Sequence, residues 1–129
     1  MATIGKDDRL HSADYLTKFN TAAYLDIYTS FKAIPWFEGL VERILGVFRT
    51  HKDRIRGAKR GLEFGGGPAL MGSFILAQFV EQIRFSDYTP SNVEHVEEWL
   101  NERENAHDWT ELFEMVMNKY RVQVNQFFI

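Results

Sequence analysis

The residues of this chain best suited to chemistry stand at the ends of two short apolar runs. Leu62-Glu63-Phe64-Gly65-Gly66-Gly67-Pro68 ends in an acid and a glycine turn, and Arg84-Phe85-Ser86-Asp87-Tyr88 ends in a carboxylate about twenty residues later. Glycines let a backbone pass close to a ligand, and a carboxylate at a strand tip can accept hydrogen bonds from both hydroxyls of a ribose. Together they outline half of a nucleotide-type cofactor pocket. Each residue also has a plainer reading. Gly65, Gly66 and Gly67 could be a tight strand-to-helix turn, and Asp87 an acid flanking the next helix. Tyr88 could be a packing ring or a platform for an adenine face, and Asn92 a first-turn stabiliser or a contact to ribose or adenine.

The kind of cofactor follows from what the turn lacks. A dinucleotide fingerprint needs a third glycine three residues after Gly67, where Leu70 stands, so NAD and FAD are disfavoured. Pro68 removes a backbone donor and leaves a pyrophosphate nest incomplete. A cofactor without phosphates suits the turn better, which points to S-adenosylmethionine with its amino-acid part at the glycines and its ribose at Asp87. Other chemistries find no support. His11, His51, His95 and His107 lack paired ligand spacing, so no metal is expected, and the absence of cysteine excludes disulfides and thiol catalysis. Ser73 follows no nucleophile-elbow motif, and Glu97-Glu98 reads as a solvated face.

These residues need elements to hold them. Tyr15, Phe19, Tyr24, Tyr28 and Phe31 recur at helical spacing, with a turn and helix start at Asn20-Thr21 that predicts two short helices. Pro35 suits the first turn of a longer helix with Phe37, Leu40, Val41, Ile44, Leu45 and Phe48 on its apolar face. The basic stretch from His51 to Arg60 reads as a solvated connector. Gly61 to Phe64 and Ile83 to Asp87 are predicted strands. Pro68 is predicted to open the helix between them, with Leu70, Phe74, Ile75 and Ala77 inward. Thr89 is a predicted N-cap with Pro90 first in a helix bearing Val93, Val96 and Leu100. Asp108-Trp109-Thr110-Glu111 opens a last helix burying Leu112, Phe113 and Val116, after which Arg121 to Asn125 alternates like a strand and Phe127-Phe128-Ile129 forms an apolar end.

A formal net charge of -3 gives no electrostatic drive toward nucleic acid or an anionic membrane. The first residues lack the apolar run of a signal peptide, and no window is long enough to span a bilayer, so a soluble cytoplasmic protein is expected. The sequence leaves the oligomeric state open.

Asp14-Tyr15-Leu16-Thr17-Lys18-Phe19-Asn20 with Tyr24-Leu25, the Gly65-Gly66-Gly67-Pro68 turn, Ser86-Asp87-Tyr88-Thr89-Pro90-Ser91-Asn92, Glu98-Trp99-Leu100 and Asp108-Trp109 resemble the N-terminal half of a known family. It is the nicotinamide, phenylethanolamine and thioether/indolethylamine methyltransferase family, matched from about Asp14 to Asn118. The resemblance implies a Rossmann-like class I α/β fold and methyl transfer from S-adenosylmethionine to a nitrogen of a small amine or pyridine. It implies that Gly65 and Gly67 approach the methionine part, with Gly66 and Glu63 beside them, and that Asp87 binds the ribose hydroxyls while Tyr88 and Asn92 hold the nucleoside. Tyr15 and Tyr24 match tyrosines of a helical cover over cofactor and substrate, or else pack as an aromatic lid. Thr29 and Met71 stand where the family has tyrosines, and Glu63 where it has aspartate. The expected organisation is a helical cover and connector over residues 1–60, then the N-terminal half of an α/β domain over 61–129, truncated after about two strands. The alternative is a non-catalytic S-adenosylmethionine-binding or interaction fragment. On this reading, in a protein that also carries the remaining half, Asp87→Ala weakens cofactor binding by about ten- to a hundredfold and barely alters stability.

Overall fold

The computed structural model describes residues 11–125 apart from positions 31 and 33, with backbone alone at 29 and 122–125. Phe31, the side chain of Thr29 and the apolar Phe127, Phe128 and Ile129 lie outside the described residues. The chain opens with a 3-10 turn over Ser12–Leu16, where the Asp14 carboxylate accepts from the His11 N–H at 2.9 Å and pairs with Lys18 at 2.7 Å. Asn20 then caps α1 (Thr21–Thr29), its side-chain oxygen accepting from the Ala23 N–H at 2.9 Å. That cap is what divides the aromatic run. Helix α2 (Phe37–Thr50) buries Phe37, Val41 and Leu45, and the exposed α3 (Lys52–Ile55) carries the basic connector toward the sheet.

Strand β1 (Arg60–Phe64) lies parallel to β2 (Gln82–Ser86), in register from Arg60 opposite Gln82 to Phe64 opposite Ser86. The crossover between them contains α4 (Met71–Leu76). Side chains alternate across a strand, and here Gly61 and Glu63 face α4 while Leu62 and Phe64 stand exposed on the other side. Thr89, extended at φ -91° and ψ 114°, precedes α5 (Pro90–Leu100), with Pro90 where its missing N–H costs nothing. The Asp108 carboxylate accepts from the Thr110 N–H at 2.9 Å at the start of α6 (Thr110–Asn125).

One apolar core joins all these helices but α3. Leu25 of α1, Val41 and Leu45 of α2, Phe74 and Ile75 of α4, Val96 of α5, and Leu112 and Val116 of α6 meet in a single cluster. Rings extend it, with Phe48 stacked on Phe79 at 4.8 Å and Phe79 edge-on to Tyr120 at 5.8 Å. The observed class is α/β, with a two-stranded parallel sheet and six α-helices among the described residues.

Some expectations need correction. Pro68 does not open a helix. It is fully buried with Ala69 and Leu70 in a turn after Gly67, and the gain from burying that segment outweighs an early helix start, so α4 begins at Met71. Residues 121–125 continue α6 instead of forming a strand, because extending an anchored helix adds a hydrogen bond per residue without a new nucleus. Ala77, Leu100 and Phe113 are exposed, the last still edge-on to Phe74 at 5.3 Å.

Two glycines predict opposite outcomes. A Cβ at Gly61 would sit 2.7 Å from Leu76 Cδ2, so Gly61→Ala is expected to destabilise by about 1–3 kcal/mol. Inside α2 a Cβ at Gly46 meets nothing within 4 Å, and Gly46→Ala is expected to stabilise by about 0.5–1 kcal/mol. Urea unfolding of the two variants beside the unsubstituted chain checks both signs.

Candidate functional site

The glycine turn at the end of β1 uses each of its glycines differently. Gly65 and Gly67 sit at φ +68° and +66°, the left-handed region that disfavours a side chain, with open space where a Cβ would be. Gly66 has an ordinary φ but no room, because a Cβ there would run into the Phe85 ring and lie 3.1 Å from the Glu63 carboxyl carbon. The parallel ladder continues into this turn, the Gly65 N–H donating to the Ser86 carbonyl at 2.8 Å. The turn is thereby held beside the end of β2, where Asp87 follows.

Asp87 is the centre of the local hydrogen bonding. Its Oδ2 accepts from the Gly67 N–H at 2.7 Å, and its Oδ1 accepts from the Thr89 N–H at 2.8 Å and from the Asn92 amide at 3.0 Å. The other end of the Asn92 amide accepts from the Thr21 hydroxyl at 3.0 Å, and Thr21 lies 2.8 Å from Ser91 Oγ. An ionised carboxylate offers about four acceptor positions, so one remains for a ligand while all three bonds persist. Accepting two ribose hydroxyls requires one bond, such as that from Gly67, to give way.

A cleft of about 570 Å³ opens over this network at the C-terminal ends of the two strands. Of the residues predicted for the site, Tyr15, Tyr24, Gly65, Gly67, Asp87, Tyr88 and Asn92 line it. Gly66 and Glu63 do not, since both pack inward toward α4 and Phe85. The Glu63 carboxylate accepts from the Ser73 hydroxyl, and its burial raises its pKa above the usual range, with the Ser73 bond pulling the other way. Met71 packs against the core instead of facing the cleft.

Across the cleft from the glycine turn stands an aromatic wall. Tyr15 stacks on Phe19 at 5.6 Å, Phe19 meets Tyr24 at 5.7 Å and Tyr24 meets Tyr28 at 5.7 Å. Tyr28 then reaches the buried Trp109, also at 5.7 Å, so the wall is continuous with the core. Burial, aided by a 3.4 Å hydrogen bond to Tyr24, pushes the Tyr28 phenol well above its ordinary pKa. Sequence reading missed Ser12 and Phe19 as cleft residues and Thr21 and Ser91 as network partners. The aromatic periodicity already marked Phe19. Nothing in the sequence links Thr21 to Asn92, 71 positions away.

The structure is that of an α/β protein with a cleft at the carboxyl ends of parallel strands, the place where open α/β sheets bind ligands. The chain belongs to the NNMT/PNMT/TEMT family, whose profile matches residues 7–124. It is 26% identical over 101 residues to mouse (Mus musculus) indolethylamine N-methyltransferase, covering 77% of this chain and 38% of that protein. To pig (Sus scrofa) nicotinamide N-methyltransferase it is 30% identical over 98 residues, covering 74% of this chain and 37% of that protein. The chain thus spans less than two fifths of the length of these relatives. No helix among the described residues is long and apolar enough to cross a membrane.

Two predictions follow the network. Asp87→Ala strands two backbone N–H groups and an amide, so it is expected to destabilise the fold by at least about 1.5–3 kcal/mol in denaturant titrations. This replaces the expectation of nearly unchanged stability. Glu63 holds a proton in the fold that it releases when unfolded, between its ordinary pKa of 4.5 and its raised folded value. Stability from this group therefore falls as pH rises through that window. Glu63→Gln is expected to lack that decline when the melting temperatures of the two proteins are compared from pH 4 upward.

Proposed function

We propose that this chain carries the cofactor-facing part of a Rossmann-like class I, S-adenosylmethionine-dependent N-methyltransferase, acting on a nitrogen of a small amine or pyridine in the cytoplasm. The observation that carries the reading is the convergence of Asp87, Asn92 and the Gly65–Gly67 turn with Tyr15 and Tyr24 on one cleft. Family membership and the N-methyltransferases among the relatives support the reaction class. The cleft volume suits a ligand of this size. In this reading residues 1–60 serve as cover and connector, and 61–129 as the N-terminal half of the cofactor domain.

The residues fit the cofactor's chemistry. S-adenosylmethionine supplies an electrophilic methyl group on a sulfonium centre. Asp87 offers its remaining acceptor position to a ribose hydroxyl, and Tyr88, 62% exposed, offers a free ring face to an adenine. The open space over Gly65 and Gly67 leaves the turn accessible to the amino-acid part. Methyl transfer depends on in-line positioning more than on acid or base groups, and the rings of Tyr15, Phe19 and Tyr24 give one side of the cleft an apolar wall. Glu63 faces α4 and is not among the residues lining the cleft.

Calorimetric titration with S-adenosylmethionine tests the proposal. Tyr88→Ala is the informative variant because the exposed ring carries little of the fold. Loss of an adenine stacking partner is expected to weaken binding by about fivefold to a hundredfold, with an unchanged melting temperature. No binding by the unsubstituted chain, or equal binding by Tyr88→Ala, would overturn the assignment. Binding without methyl transfer to nicotinamide or an arylalkylamine would favour a purely cofactor-binding chain.

A further inference from the structure

Thr21 lies outside the cleft wall, yet it is 5% exposed and directly behind the Asn92 side chain, itself 4% exposed. We propose that Thr21 is a positioning residue, whose hydroxyl on the first turn of α1 fixes the Asn92 amide and through it the acceptor face that Asp87 presents to a ligand. The proposal rests on reading the cleft as a nucleoside site.

The donors and acceptors of this relay have only one consistent sense. A carboxylate solely accepts, so the Asn92 NH₂ must face Asp87 and its carbonyl oxygen must face Thr21. Thr21 has one hydroxyl proton, which goes to that oxygen, and the Ser91 hydroxyl therefore donates to Thr21. An Asn amide rotated by half a turn would set its carbonyl against the carboxylate, two acceptors facing each other. The carboxylate thus selects the amide orientation, and the Thr21 hydroxyl, donating to the amide oxygen, holds the side chain in place. In a buried setting the wrong orientation leaves polar groups unpaired at high cost.

The relay also spans two parts of the molecule. Thr21 belongs to the helix that presents Tyr24 to the cleft, and Asn92 to the helix that follows Asp87. Placement of the cover and orientation of the carboxylate are consequently joined through one hydroxyl.

Thr21→Val keeps the shape of the side chain and removes the hydroxyl, whereas Thr21→Ser keeps the hydroxyl. In nitrogen-correlated NMR spectra of the free chain, Thr21→Val is expected to shift the Gly67 and Thr89 amide signals and the Asn92 side-chain pair, with Thr21→Ser restoring them. In titrations Thr21→Val is expected to weaken S-adenosylmethionine binding by about two- to twelvefold and the binding of its 2′-deoxy analogue by less, with recovery in Thr21→Ser. Should Thr21→Val not fold, Thr21→Ala takes its place in both measurements. Unshifted signals at those three groups, or equal loss in Val and Ser variants, would overturn the relay. If the unsubstituted chain fails to bind S-adenosylmethionine, the cofactor reading falls, while the spectra of the free chain still decide the role of Thr21.

Discussion

The Asp87 carboxylate accepts from the glycine turn at Gly67, from Thr89 just before α5 and from the Asn92 amide, and these three bonds shape the floor of the cleft. Hydrogen bonds to an ionised acceptor are roughly twice as strong as neutral ones. Here they tie together segments that a two-stranded sheet alone would hold loosely, since the register between β1 and β2 ends at Phe64 and Ser86. Without a common acceptor the turn at Gly65 to Gly67 would keep its unusual backbone angles with less to hold it in place. The same carboxylate thus joins three segments of the cleft, and on the proposed reading a ligand would share it with the backbone.

Stability and site draw on different parts of the chain. Leu45, Val41, Ile75, Leu112 and Val116 are fully buried and all sit on helices, so the helical core carries most of the apolar burial. The strands contribute position. On their outer face Leu62 is 58% exposed and Phe64 84% exposed, so only the face toward α4 belongs to the core. Lys119, bonded to Glu38 and Glu42 at 3.1 and 2.6 Å, adds a surface link between α2 and α6 that contributes little beside that burial.

Features governed by local rules could be read directly from the residues. The helix start at Asn20-Thr21, Pro90 after Thr89, and the two apolar runs ending at a glycine turn and at Asp87 all depend on neighbours within a few positions. Pro68 shows where local reading ends, because its preference for a first helical turn lost to the burial of Ala69 and Leu70. The alternation of Val122 and Val124 was a local signal too, overruled by a helix already seated on α2 and α4. Glu63 stood at the expected strand end, but its direction was set by Gly61 packing on Leu76, a tertiary fact. The contact between Thr21 and Asn92 lay wholly beyond sequence patterns, since a threonine beside a capping asparagine has no preferred distant partner.

The rings running from Tyr15 through Phe19, Tyr24 and Tyr28 to Trp109 make the cleft and the core neighbours in one stack. This restricts the evolutionary freedom of the pocket. Altering an inner ring would disturb packing at Tyr28 and Trp109 and would need compensation in the interior. The outermost ring, Tyr15, stacks only on Phe19 in this series, so sequence drift meets the least resistance at that rim.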